Sequence, residues 1–269
     1  MSKIRLDQLV FDLGLTTSRE RARTTIMAGQ VFVDGQRSDK PGMSVSPDAK
    51  IEVRGETLPF VSRGGLKIQK ALSEFGYDPA GLICIDCGAS TGGFTDCLLQ
   101  HGAKKVYAVD VGYGQLAWSL RQDERVVSME RTNIRYVTPD QLDERPALAV
   151  MDLSFISLRL VLPAVRELLT DGGDVLCLIK PQFEAGREKV GKKGVVRDRN
   201  VHLEVLESFL AFAPECGFGV LGLSYSPIRG PEGNIEYLGW LRKGADSVLG
   251  IDPAAVVEAS HGELEKQTD

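Results

Sequence analysis

The chain has 269 residues, 43% of them apolar and 26% charged, with a formal net charge of −5. That balance suits a soluble globular protein with room for one large domain and a small one, and no apolar run approaches the ~20 residues that span a bilayer. Five cysteines, with no second Cys/His pair beside Cys84-x-x-Cys87, argue for reduced core thiols, and the start Met1–Asp7 lacks a signal-peptide core, so a cytoplasmic setting is expected.

The first sixty residues read as a separate module. Leu6, Leu9, Val10 and Leu13 recur at helical spacing and stop at Gly14. Thr17 or Ser18 can cap a second helix, 19–28, with Ala22, Ile26 and Met27 inward and Gly29 ending it. Val31–Val33 and Ile51–Val53 predict short strands, with a hairpin signal at Asp34-Gly35. Arg19, Arg21 and Arg23 crowd the second helix, and the like charges of Arg19 and Arg23, four apart, repel unless a polyanion neutralises them. Residues 1–63 carry ten Lys/Arg against eight Asp/Glu, whereas the last 24 residues hold six acids and one lysine. A short connection over 56–61, with Pro59 disfavouring a continued helix, leads into a helix whose stripe is Leu66, Ala71, Leu72 and Phe75.

From Leu82 onward strands and helices alternate. Strands are predicted at 82–86, 105–110, 125–129, 147–152, 174–180, 219–225 and 235–241, and helices at 94–100, 115–120, 158–169 and 200–212. The nine residues between the last two strands are too few for a crossover helix, so those two pair antiparallel. The fold class expected is α/β: a mostly parallel seven-stranded, Rossmann-like sheet of the class I methyltransferase layout, preceded by a small α+β domain.

The turn Asp86-Cys87-Gly88-Ala89-Ser90-Thr91-Gly92-Gly93-Phe94 lacks the G-x-G-x-x-G order of a dinucleotide site and places an acid ahead of its first glycine. Such an acid repels a pyrophosphate but suits a sulfonium-bearing zwitterion such as S-adenosylmethionine. Gly88 allows the sharp turn, and Gly92 with Gly93 is expected to let a ligand approach the backbone. In open parallel sheets ligands bind beyond the carboxyl ends of the strands. Asp86, Asp110, Asp152 and Lys180 all finish strands and so converge on one rim, with Asp110 standing where ribose hydroxyls would be accepted. Lys180 ends an apolar strand, and partial burial should lower its proton affinity from the usual pKa of ~10.4 towards general-base duty. The histidines, His101, His202 and His261, lie far apart, and no metal is expected. A basic, glycine-punctuated loop follows Lys180, and its place beside the rim suits RNA backbone.

Two resemblances sharpen this reading. Ser18-Arg19-Glu20-Arg21-Ala22-Arg23 followed by Ile26, Gly29, Val31, Val33, Asp34 and Gly35 resembles the small RNA-binding αL module of ribosomal proteins, pseudouridine synthases and tyrosyl-tRNA synthetases. The stretches Ser62–Lys67, Met151–Ile156, Leu178–Glu184 and Gly233–Tyr237 resemble the FtsJ-type ribose 2′-O-methyltransferases, whose active site is a Lys-Asp-Lys-Glu tetrad. With both parts in this order the chain resembles the TlyA (haemolysin A) family, which methylates cytidines of ribosomal RNA. The resemblance implies a tetrad of Lys67, Asp152, Lys180 and Glu236, and S-adenosylmethionine held by Asp86, Gly88, Ser90, Thr91, Gly92, Gly93, Phe94, Asp110, Asn133 and Asp152. RNA contacts would come from Arg5, Arg19, Arg21, Arg23, Arg63, Arg187, Lys189, Lys192 and Lys193. The domains expected are 1–60 for RNA, 61–245 for methyl transfer, and 246–269 as an acidic tail or helix. The partner expected is ribosomal RNA or a ribosomal subunit. A membrane-active haemolysin-like protein and an RNA-binding protein without catalysis are the alternatives.

Overall fold

The computed structural model describes residues 3–16, 18–54, 58–230 and 232–265. The amino-terminal module holds two helices and five short strands: β1 (Ile4–Arg5), α1 (Leu6–Asp12), α2 (Arg19–Met27), β2 (Val31–Val33), β3 (Gln36–Ser38), β4 (Ser44–Val45) and β5 (Ile51–Val53). Strands β3, β2 and β5 form one sheet, and β1 pairs with β4. Ser18 caps α2 by accepting from the Arg21 amide at 3.0 Å, while Thr17, the other candidate cap, lies outside the described residues. Asp34 and Gly35 take φ of 50° and 82°, as a two-residue hairpin turn requires.

Leu6, Leu9, Val10, Ala22, Ile26 and Val31 build the module's core. Two residues expected there are elsewhere, Leu13 at 52% and Met27 at 56% exposure. Helix α1 stops at Asp12 and leaves Leu13 as its cap, off the apolar stripe. Met27 follows Ile26 by about 100° around α2 and turns outward. The connection expected at 56–61 is described only from Leu58, since residues 55–57 lie outside the described residues.

The second unit begins with α3 (Gly64–Phe75), ended by Gly76 at φ 60°. There follow β6 (Ile83–Cys87), α4 (Gly93–Gln100), β7 (Lys105–Val109), α5 (Trp118–Arg121), β8 (Val126–Met129), β9 (Leu148–Met151), α6 (Leu162–Leu168), β10 (Asp174–Ile179), α7 (Pro181–Glu184), α8 (Arg199–Glu215), β11 (Phe218–Tyr225), β12 (Tyr237–Lys243) and α9 (Pro253–Glu265). Seven strands make one sheet in the order β11-β12-β10-β9-β6-β7-β8, in which β12 alone runs against its neighbours. All six residues of β10 are buried, as a central strand covered on both faces must be. Alternation sends Cys84 into the core on one face, with Leu98, and Cys87 into the core on the other, with Met151.

Three elements differ from their sequence prediction. The helix expected at 115–120 shrinks to α5, because the Ala117 amide bonds back to the Thr91 carbonyl at 3.1 Å. Pro163 fixes the first turn of α6, so that helix starts at Leu162 after a separate 3₁₀ turn. The closing strand begins at Tyr237, which leaves Glu236 in the loop just before it. The acidic end forms α9, which buries Val257 and Leu264 in the core.

Among the described residues, two side-chain hydrogen bonds join the units. Arg21 Nη1 donates to the Phe60 carbonyl at 2.7 Å, and the Trp118 amide donates to Glu20 Oε1 at 2.7 Å. Between them lies a cleft of about 1020 Å³, with Arg5, Arg19 and Arg23 on one wall and Thr91, Gln115 and Trp118 on the other.

Candidate active site

The sheet order sets β9 between β6 and β10, so their carboxyl-end residues stand side by side. Asp152 follows β9 and Lys180 follows β10. Helix α3 turns Gly65, Lys67, Ile68, Ala71 and Leu72 inward, and so a lysine is carried on the same face as the helix's apolar stripe. Lys67 Nζ lies 2.6 Å from Glu236 Oε2 and 3.4 Å from Asp152 Oδ2. Lys180 Nζ lies 2.5 Å from the other Asp152 oxygen, Oδ1, and 3.4 Å from Ser154 Oγ. Four side chains from four separate segments thus form a row of alternating charge: Glu236, Lys67, Asp152, Lys180.

Water hardly reaches most of this row. The side chains of Lys67 and Lys180 are 8% exposed and that of Glu236 1%, whereas Asp152 keeps 22%. Burial alone would pull Lys67 down, but Asp152 and Glu236 together outweigh it and hold its pKa above the ordinary value. Burial would likewise push Asp152 up, but Lys67 and Lys180 hold it below the carboxylate range. Gly230 makes room for Glu236, since a Cβ there would stand 2.7 Å from Oε1.

The cofactor candidates divide into groups. Asp86 is fully buried, and its Oδ2 accepts from the Thr95 amide at 3.0 Å and hydroxyl at 2.7 Å. Its Oδ1 is buried and accepts nothing among the described residues, and burial pushes the carboxyl up to about 7 against the Thr95 bonds. Asp110 holds the loop in shape by accepting from the Ser90 amide at 2.8 Å and the Gly112 amide at 2.7 Å. Each of its oxygens keeps a further lone pair. The glycines serve the chain more than a ligand. A Cβ at Gly88 would stand 2.8 Å from the Asp152 carbonyl, at Gly92 2.2 Å from Leu120, and at Gly93 2.2 Å from Ser62. At Gly92 and Gly93 the Cβ direction is thus taken by protein. Phe94 is 4% exposed and belongs to the core behind the loop. Ser90 and Thr91 are exposed on the rim, and Ser90 takes φ 49°. Asn133 is exposed and uses its side-chain oxygen to cap a 3₁₀ turn at the Arg135 amide, 3.1 Å away.

The RNA candidates also divide. Arg5, Arg19, Arg23 and Arg63 line the cleft between the units. Arg21 turns away from them to the Phe60 carbonyl. In the loop after α7, Lys189 pairs with Glu204, Arg187 and Lys193 are exposed, and the Lys192 side chain lies outside the described residues. Asn234 fastens this loop beside the row of charges, accepting from the Val196 amide at 2.9 Å and donating to the Gly194 carbonyl at 2.9 Å.

One residue of the rim went unnoticed in the sequence. Phe155 is 90% exposed and sits at φ 64°, a conformation an aromatic residue rarely adopts. Glu184 pins the chain just beyond it through Ser157 Oγ at 2.7 Å and the Leu158 amide at 2.8 Å. Its ring stands 5.2 Å from that of Phe183, over which Lys180 Nζ lies at 5.9 Å. No spacing rule marks such a residue, because its position depends on a single backbone dihedral.

Comparison with known proteins decides the family. Residues 60–243 match the FtsJ-like methyltransferase family, a span that contains all four residues of the charged row, and residues 4–51 match the S4 domain. The Mycobacterium tuberculosis protein named 16S/23S rRNA (cytidine-2′-O)-methyltransferase TlyA is 44% identical over 264 residues, 97% of this chain and 98% of that one. This chain belongs to the TlyA family of FtsJ-like methyltransferases. Another similar sequence is YqxC of Bacillus subtilis, named an rRNA methyltransferase and 57% identical over 237 residues, 88% of this chain and 84% of that one. A solved Streptococcus thermophilus structure that carries the hemolysin name is 49% identical and superposes with a TM-score of 0.80, covering 100% of this chain and 99% of that one. The TlyA assignment makes the protein an enzyme with a class I methyltransferase sheet and an RNA-binding S4 module. No helix among the described residues is long and apolar enough to cross a membrane.

Proposed function

We propose that this protein methylates the 2′-hydroxyl of a cytidine ribose in ribosomal RNA, with S-adenosylmethionine as donor, and so works in the cytoplasm. The observation that carries this is the row Glu236–Lys67–Asp152–Lys180, set within the FtsJ-like span at the open ends of β9 and β10. The M. tuberculosis relative's name supplies the nucleotide and the position on the ribose.

The donor fits the residues present. Asp110 follows β7 with acceptor capacity to spare, suited to ribose hydroxyls, and the unpartnered Asp86 Oδ1 suits a buried N–H donor. Bound there, S-adenosylmethionine supplies a methyl already activated by its sulfonium. What the chain must add is position and a path for one proton. Once its own ammonium proton has left to solvent, the neutral Lys180 amine takes the proton of the 2′-hydroxyl, and Asp152, at 2.5 Å, receives the ammonium formed again as an ion pair. Lys67, gripped by Glu236, keeps Asp152 ionised for that purpose. Phe155 offers an exposed ring to the base of the target nucleotide, while Arg5, Arg19, Arg23 and Arg63 hold the backbone along the cleft.

The test is direct. Purified protein, ribosomal subunits from a strain lacking the gene, and methyl-labelled donor should yield 2′-O-methylcytidine by nucleoside mass spectrometry. Label on a base atom, or equal label from a Lys180→Ala variant, would overturn the proposal.

A further inference from the structure

Asp7 is an acid in the wall of a cleft otherwise rich in arginine. If the cleft takes RNA, a carboxylate there should repel the ligand, so its presence calls for a reason. Its side chain is only 1% exposed, while those of Arg5 and Arg19 are 52% and 47% exposed. Arg5 grips it side-on, with Nε 3.0 Å from Oδ1 and Nη2 2.9 Å from Oδ2. Arg19 Nη2 reaches both oxygens at 3.4 Å from the second helix. The turn at Gly42 closes the other flank of Arg5, because a Cβ there would stand 3.3 Å from Nη1. The carboxylate is thus hidden behind two guanidiniums whose outer edges face the cleft, and they hold its pKa below the ordinary range, Arg5 foremost.

We propose that Asp7 is a positioning residue for RNA: it fixes the guanidinium planes of Arg5 and Arg19 in the orientation that meets successive phosphates. This rests on the reading of the cleft as the RNA site. An arginine side chain loses much rotamer freedom when it is fixed in a bound state. A carboxylate that fixes it beforehand removes that loss from the binding step. A planar fork also needs orientation to engage a phosphate through two donors, which a wandering arginine lacks.

The proposal predicts the opposite sign from plain charge. Asp7→Asn removes a negative charge beside a polyanion, so simple electrostatics makes RNA bind tighter. Positioning makes it bind weaker, by about fivefold at fixed salt, the worth of one ordinary hydrogen bond. The KM for RNA should rise while kcat and cofactor affinity hold. In an Arg5→Ala, Arg19→Ala background the same Asp7→Asn change should do nothing, whereas a purely structural role would persist there. Should Asp7→Asn fail to fold, Arg5→Lys with Arg19→Lys serves instead: charge is kept, the fork is lost, and RNA affinity should fall. Unchanged or tighter binding by Asp7→Asn, or unchanged binding by the lysine pair, overturns the proposal. If the double alanine variant itself binds RNA normally, the cleft is not the RNA site, and that failure is distinct.

Discussion

Asp152 meets Lys180 at 2.5 Å with one carboxylate oxygen and leaves the other to Lys67, 3.4 Å away. Asp152 therefore bridges two nearly buried lysines, the second of which, Lys67, it shares with Glu236. Asp152→Asn should destabilise the protein by about 3 kcal/mol, the usual result of stranding a buried charge, and should nearly abolish methyl transfer. Because Lys67 and Lys180 hold the carboxyl below 3.8, its contribution is present above pH ~4 and disappears as pH falls through the depressed folded-state value. Urea titrations of both proteins should converge in strong acid. A gap that persists there would assign the loss to packing.

Lys180→Arg keeps a positive charge but cannot be deprotonated near neutral pH. Single-turnover methylation should fall by about 10²–10⁴, the range for losing general-base catalysis, with RNA and cofactor still bound. A near-normal rate would mean that this position supplies charge, and the proton would need another acceptor.

Asp110 accepts two backbone amides and has lone pairs left for a ligand. Asp110→Ala should weaken S-adenosylmethionine by about 1–3 kcal/mol in calorimetry. Thermal unfolding should be recorded alongside, since the loop between Ser90 and Gly112 loses its tie as well. Unaltered affinity takes Asp110 out of the site.

Phe155→Ala removes the exposed ring beside Phe183 without touching the charged row. The KM for RNA should rise by an amount equivalent to about 1–3 kcal/mol, the worth of one stacked base, with no change in stability. If only folding changes, the ring belongs to the packing around Phe183.

Asp86 gives a pH signature of its own. Burial raises it to about 7 in the folded protein from 3.8. An acid with a raised folded-state pKa destabilises progressively as pH climbs from the unfolded to the folded value, because the unfolded chain sheds the proton first. Wild-type stability should therefore decline relative to Asp86→Asn between pH ~4 and ~7, by about 2–4 kcal/mol, and then level off. A constant difference across that range would mean that the carboxyl ionises normally.

How far this was legible from the chain depends on what each residue's position depends on. The sheet was, because apolar runs ending in Asp86, Asp110, Asp152 and Lys180 encode both the strands and the rim where they end. The single reversed strand followed from a loop too short to cross over. Lys67 and Glu236 were reached only through family resemblance, since no spacing connects residues 169 apart in sequence whose side chains meet at 2.6 Å. The glycines of the cofactor loop carry a packing role that the sequence did not reveal, since a Cβ at Gly92 or Gly93 would meet Leu116, Leu120 or Ser62. Arg21 was grouped with Arg19 and Arg23 as an RNA contact, yet its guanidinium bonds to the Phe60 carbonyl, a partner 39 residues away. Asp7 and Phe155 were invisible, as one depends on two guanidiniums and the other on a left-handed backbone.

The row of four ionisable groups sums to no net charge. Two lysines facing two carboxylates exert little pull on a distant polyanion, and ions in solution have little to screen there. The guanidiniums of the cleft, by contrast, face water and counterions. Ionic strength should thus govern how often an RNA arrives and how long it stays, while the turnover of an RNA already seated proceeds at one pace in dilute or concentrated salt. Capture and chemistry are tuned by separate hands.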